Sequence, residues 1–245
     1  MSAKFHIGTS GWMYDHWRGD FYPKDLPKSK WLQYYVERFD TVELNNTHYI
    51  QPKPTSWQNW HDVAPEGFTY AVKAHRFLTH WKRFKDPERS LDKQIKAAEA
   101  LKTHLGPFLY QAPPNFERTD ENVERLEHFL SILPPRHCHT LEFRHASWFG
   151  EDTQQQLKRH NVAFCSYDMP KLDCPLVTTA SFAYMRFHGT TQKYAGNYTD
   201  KMLQDWAKRL KALSRDLDDI YVYFNNDLGG HAVRNAARLE AILSD

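Results

Sequence analysis

A closed barrel of parallel strands wrapped by helices is the fold class this sequence predicts, and three observations predict it. Eight short β-rich runs are spread along 245 residues, segments of helical period lie between most of them, and no Pro/Gly/Ser linker or break in composition divides the chain. Such alternation indicates a parallel sheet, and eight repeats suggest closure into a single TIM-like barrel domain spanning 1–245. An open doubly wound sheet is the alternative, and it would scatter the strand-end residues along an edge.

The strands are read at Phe5–Thr9, Thr41–Asn45, Phe68–His75, Pro107–Gln111, Thr140–Arg144, Val162–Asp168, Ala183–His188 and Ile220–Asn225. Five of them end in two polar residues spaced i, i+2: Glu43/Asn45, Lys73/His75, Glu142/Arg144, Arg186/His188 and Tyr223/Asn225. Alternate residues of a strand share a face, so each pair projects one way. Val42/Leu44, Val72/Ala74, Leu141/Phe143, Met185/Phe187 and Val222/Phe224 project the other way, against an apolar layer. Leu91, Ile95, Ala98 and Leu101 fall at helical spacing, as do Val123, Leu126, Leu130 and Leu133, and Leu203, Trp206, Leu210, Leu213 and Leu217. Asp120 and Thr199 are the expected N-caps of the last two. Trp31–Arg38, Ser56–Val63, Thr153–Arg159 and His231–Leu243 are shorter or weaker helical segments, and Met169 to Phe182 reads as loop.

An aromatic content of 15% supplies a sizeable core, and the mean hydropathy of -0.74 reflects charged helix surfaces. No apolar run approaches the ~20 residues that span a bilayer, and Met1 to Lys4 shows no signal-peptide h-region. Cys138, Cys165 and Cys174 form neither a CxxC nor an even disulfide set, so a cytoplasmic protein without membrane association is expected. A net charge of +2 is too near balance to argue by itself for nucleic acid, and the pattern specifies no oligomeric state.

Gly8-Thr9-Ser10-Gly11-Trp12, Val42-Glu43-Leu44-Asn45 with Tyr49, and Tyr70-Ala71-Val72-Lys73-Ala74 resemble the YecE-like family, domain of unknown function 72. The resemblance continues in order through Leu109-Tyr110-Gln111-Ala112-Pro113-Pro114, Leu141-Glu142-Phe143-Arg144-His145 with Trp148, Arg186-Phe187-His188-Gly189 and Tyr223-Phe224-Asn225-Asn226. It implies a TIM-like barrel and leaves the reaction open.

Polar groups held at strand ends by a rigid sheet are where barrel enzymes keep their chemistry. Glu43 and Glu142 would face each other across the mouth, where two carboxylates can divide acid and base roles if their environments separate their pKa values. The bland reading neutralises them, Glu142 by Arg144 or Arg186 and Glu43 by Lys73. Lys73, desolvated on its strand, is a candidate base or Schiff-base nucleophile, and His188 a candidate base. Arg144 and Arg186 would hold an anion, with Gly189, Gly229 and Gly230 offering backbone amides, as barrel phosphate sites do. Ser10, Trp12, Asn45, Tyr49, His75, Gln111, Tyr223 and Asn225 complete the expected substrate-contacting set.

The expected function is therefore acid–base chemistry (hydrolase, lyase or isomerase) on an anionic small molecule, phosphorylated or carbohydrate-like. No cofactor is expected. A divalent metal on Glu43, Glu142, Asp168, His75 and His188 is the alternative that Lys73, Arg144 and Arg186 oppose by charge. His137-Cys138-His139 precedes its strand and lies at the opposite barrel end. The segment His75 to Lys85 interleaves cations with aromatics, which suits single-stranded nucleic acid in an endonuclease IV-like alternative, or a loop whose Phe77, Trp81 and Phe84 plug the rim. A non-catalytic ligand sensor is the third reading.

Overall fold

The computed structural model describes residues 3–192 and 194–244; Met1 and Ser2 of the amino-terminal run considered above lie outside the described residues, as do Lys193 and Asp245. Eight strands, β1 (Lys4–Ser10), β2 (Thr41–Leu44), β3 (Thr69–Lys73), β4 (Leu105–Gln111), β5 (His139–Glu142), β6 (Ala163–Asp168), β7 (Phe182–Phe187) and β8 (Asp219–Phe224), close into a barrel in sequence order. Each pairs in parallel with the next, and β8 returns to β1 with Gly8 opposite Tyr223. The second member of all five polar pairs falls just past its strand's end.

Helices α1 (Trp31–Val36), α2 (Pro54–Val63), α3 (Glu88–Ala98), α4 (Asp120–Ser131), α5 (Glu151–Arg159), α6 (Asp200–Leu213) and α7 (His231–Ser244) cover the outside. Met169 to Ser181, between β6 and β7, contains no helix. Thr199 caps α6, its hydroxyl accepting from the Met202 N–H at 3.3 Å. The α4 cap sits one residue before the expected Asp120. Thr119 has the extended backbone a cap needs and accepts from the Asn122 N–H at 3.3 Å, so Asp120 opens the helix instead. Among the described residues no helix is long and apolar enough to cross a membrane.

The period-2 pattern divides the wall as the sequence predicts. Val42, Leu44, Val72, Leu141, Phe143, Met185, Phe187, Val222 and Phe224 belong to the outer core beneath the helices. Phe187 and Phe224 stack there at 4.6 Å, and burying each such side chain contributes about 1.5–3 kcal/mol. Ala71, Leu109, Ala163, Cys165, Phe182, Tyr184, Tyr221 and Tyr223 form a separate inner cluster. At Gly8, any Cβ would meet the Thr41 carbonyl oxygen at 2.2 Å, so the close approach of β1 to β2 requires glycine.

Candidate functional site

Arg186, fully buried on β7, organises the upper interior. Its Nη2 donates to Glu43 Oε1 at 2.7 Å and its Nη1 to Glu142 Oε2 at 2.6 Å, so one guanidinium joins carboxylates from β2 and β5. The Tyr184 hydroxyl donates to the second Glu43 oxygen at 2.8 Å. Ser10 Oγ lies 3.4 Å from Arg186 Nη2. Glu142 also accepts from Gln111 Nε2 at 2.6 Å and from Arg144 Nε. The planar guanidinium fixes the directions of its donors, so one terminal nitrogen is aimed at each carboxylate. The expected Glu43–Lys73 pairing is thereby replaced: Glu43 is neutralised from β7.

Lys73 is 6% exposed, and among the described residues its ammonium has neither a carboxylate at ion-pair distance nor a hydrogen-bond partner. Burial, with Arg186 and Arg144 adding to it, brings its pKa down to about 7 against the pull of Glu142 and Glu43. Burial acts on Glu142 in the opposite sense, but Arg144 and Arg186 outweigh it and hold that carboxyl well below the usual range. Burial and the same two arginines keep His188 neutral, its pKa well below an ordinary imidazole's. Arg144 Nη2 stands 2.8 Å from His188 Nε2, which must accept, so the ring proton belongs on Nδ1. That nitrogen faces the Asn225 amide at 3.2 Å and calls for its oxygen there.

The structure thus joins Ser10, Glu43, Gln111, Glu142, Arg144, Arg186, His188 and Asn225 in one network at the C-terminal end of the strands, with Lys73 within electrostatic reach of it. Trp12 and Asn45 lie beside it, lining with Gly11, Met13, Tyr14 and Asn46 a cavity of about 330 Å³. Trp12 Nε1 and Asn45 Oδ1 are buried there without a partner.

Other expected members go elsewhere. His75 turns out of the barrel to line a cavity against α3, because alternation ends with β3 at Lys73 and no longer fixes a residue two positions on. Tyr223 is buried below the network, where its hydroxyl meets Thr41 Oγ1 at 2.7 Å. Tyr49 stands on the rim, 58% exposed. The Gly189 N–H donates to the Tyr198 hydroxyl at 3.2 Å and the Gly230 N–H to the Asp227 carbonyl at 3.0 Å, while Gly229 lies beside the His231 ring. These glycines shape turns: a Cβ at Gly189, φ +108°, would meet the Ala195 oxygen at 2.1 Å. Both terminal nitrogens of Arg186 are held by carboxylates and its Nε is buried without a partner among the described residues, so it presents no fork to an anion at the mouth.

Among the described residues no group of three or more His, Cys, Asp or Glu has the arrangement of a metal site. Asp168 points outward and accepts from Trp206 Nε1 at 3.2 Å. His137 pairs with Glu99 at 3.1 Å and His139 with the Pro134 carbonyl at 2.9 Å, at the start of β5 and away from the mouth.

Two histidines missing from the expected set join it. His48 and His80 meet edge to face at 4.9 Å. Burial, then the charge of Lys73, lowers His48 to about 3 and His80 to about 4. Both sit on loops, where spacing carries no directional signal. Of the aromatic loop after β3, Phe84 is buried against Phe116 and Phe129, whereas Phe77 and Trp81 are exposed.

Compared with known proteins, residues 6–245 match the family described as "Protein of unknown function DUF72". The UPF0759 protein YunF of Bacillus subtilis is 30% identical, over 97% of this chain and 94% of its own length. The UPF0759 protein YecE of Escherichia coli K12 is 25% identical over 51% of this chain and 45% of its own. The crystal structure of a DUF72 family protein from Thermotoga maritima superposes with a TM-score of 0.91 at 33% identity, covering 99% of this chain and all of the other.

Proposed function

This chain belongs to the DUF72 family, and from the chemistry of its barrel mouth we propose an enzyme that performs acid–base chemistry on an anionic small molecule, with Lys73 as the group that moves the proton. The observation that carries this reading is the buried, unpartnered amine of Lys73, brought to about 7 and therefore able to give or take a proton at neutral pH. The two carboxylates offset the two arginines, so the protonation of Lys73 decides whether the mouth is neutral or cationic. An entering anion is balanced by protonated Lys73, with the charge of Arg144, held by Glu142, Met169 and His188, beside it. Once neutral, the same amine can abstract a proton beside a carbonyl or attack the carbonyl itself.

Glu43 and Glu142 take a different part from that of a glycosidase pair. Arg186 fills the space between them, and Glu142 stays ionised, so they serve as the fixed charge that holds Arg186 and the floor in place. Asn45 and Trp12, whose buried Oδ1 and Nε1 have no partner among the described residues, line the neighbouring cavity and suit the neutral polar end of the substrate. His188, Glu142 and the Met169 sulfur together hold Arg144 in position.

The test pairs a ligand screen with chemical labelling. Phosphorylated and carboxylated metabolites are screened by thermal shift on the wild type, Lys73→Met and Arg144→Gln; the expected result is a shift of several degrees that both variants lose. Labelling of Lys73 by an amine-selective reagent, followed by mass spectrometry across pH, is expected to show a half-point near 7. A half-point near that of surface lysines would sink the assignment.

A second reading, binding of single-stranded nucleic acid, draws on Arg76, whose guanidinium lies 5.5 Å from the exposed Tyr49 ring and 5.2 Å from the exposed Trp81 ring. It calls for oligonucleotide affinity that falls with salt at a log–log slope of about −0.7 per phosphate. A ligand sensor would show the thermal shift without turnover.

A further inference from the structure

A cavity of about 450 Å³ opens beside the barrel mouth, between the loop after β3 and helix α3. Lys82, Arg89 and Lys93 line it against the single carboxylate of Asp86, together with Phe77, His75 and Gln94. Asp86 lies 3.8 Å from Lys82, while the neighbouring acids are engaged elsewhere, Glu88 with His128 at 2.6 Å and Asp92 with Lys96 at 2.9 Å. Arg89 and Lys93, one turn apart on α3, therefore face the cavity without an ion-pair partner among the described residues. Phe77 presents a ring that is 40% exposed at the cavity wall.

The wall is built to hold this shape. Arg83, Phe84 and Asp86 all adopt left-handed backbone, with φ of 47°, 61° and 42°, which non-glycine residues avoid. Phe84, buried between Phe116 and Phe129, anchors the strained turn. On the inner side Gln94 accepts from the His75 N–H at 3.3 Å and donates to the Lys73 carbonyl at 3.4 Å, so the floor is fixed to the end of β3.

We infer that this cavity binds a nucleoside phosphate. Unpaired cations one helical turn apart fit a phosphate, an exposed ring fits the face of a base, and the amides and hydroxyl of Gln51, Gln94 and Ser90 fit sugar or base edges. The volume lies in the range of small-molecule sites. The site is separate from the barrel interior and does not depend on the chemistry of Lys73.

Calorimetric titration of the whole protein with AMP, GMP, CMP and UMP tests it, with inorganic phosphate and the unphosphorylated nucleosides as reference probes. At least one monophosphate is expected to bind, at least tenfold tighter than phosphate or its own nucleoside. Arg89→Gln/Lys93→Gln is expected to weaken it by about 30-fold or more and Phe77→Ala by about five- to tenfold, while Lys73→Met leaves it within twofold. Phe77, Arg89 and Lys93 are exposed positions, and unchanged thermal melts of their variants establish that these fold. Four results overturn the inference: no saturable mononucleotide binding, affinity that survives Arg89→Gln/Lys93→Gln, affinity lost in Lys73→Met, or an oligonucleotide that binds far more tightly than any monophosphate.

Discussion

Arg186 on β7 and Lys73 on β3 enter the barrel from opposite sides of the ring and are both almost wholly removed from water. On the β7 side the charge is met at once: two carboxylates take the guanidinium fork, a tyrosine hydroxyl takes the remaining Glu43 oxygen, and burial is offset by hydrogen bonds. On the β3 side nothing is offered, and the amine responds by losing its hold on the proton. The difference teaches which part is frame and which is available for work. A charge-balanced ion network holds shape, whereas an unsatisfied titratable group near its neutral point is able to react.

The largest expected effect comes from breaking the frame. Arg186→Met leaves Glu43 and Glu142 buried without their common partner, and a loss of about 3–5 kcal/mol in urea denaturation is expected. A cost below about 1 kcal/mol would mean that the two carboxylates are neutral or solvated, and the contrast between the two sides would fail.

Lys73→Met is expected to act in the other direction. The folded pKa of Lys73 is depressed from 10.5 to about 7, so between these values the unfolded chain holds a proton that the fold does not. Stability therefore rises with pH from about 7 upward, at most ~1.4 kcal/mol per pH unit from this group, and the full cost of the buried charge is present below 7. Lys73→Met removes that slope and is expected to be more stable than the wild type at pH 6. Denaturant midpoints between pH 6 and 9 measure both.

The smallest effect sharpens the boundary between network and floor. Tyr223→Phe removes a hydrogen bond to Thr41 Oγ1, which retains its bond to the Thr69 carbonyl at 2.7 Å, so about 1 kcal/mol is expected. Unchanged labelling of Lys73 in this variant would agree with a floor that lies outside the reacting mouth.

Much of the site was legible because strand parity is local. Glu43, Lys73, Glu142 and Arg186 lie within their strands, and Arg144, His188 and Asn225 continue the same direction just past the ends. His75, with the same spacing, does not, because the chain after Lys73 passes into a π-helical turn and alternation no longer holds. His48 and His80 were invisible for the complementary reason: their approach to Lys73 depends on the paths of two loops. Gly189 and Gly230 suggested free amides, but the residues that take those N–H groups are set by how each loop folds on itself.

The sequence by itself determined the α/β class and the facing of the strand residues, since a parallel sheet must be covered by helices and eight repeats favour its closure. The distribution of charge was decided by tertiary structure alone. Arg186 and Glu43 are 143 residues apart and Arg186 and Glu142 are 44 apart, yet they meet within 2.7 Å, while the Lys73 ammonium on the far wall has no partner among the described residues. Coulomb energy and desolvation depend on distance through space and on depth below the surface, and neither quantity exists until the ring has closed.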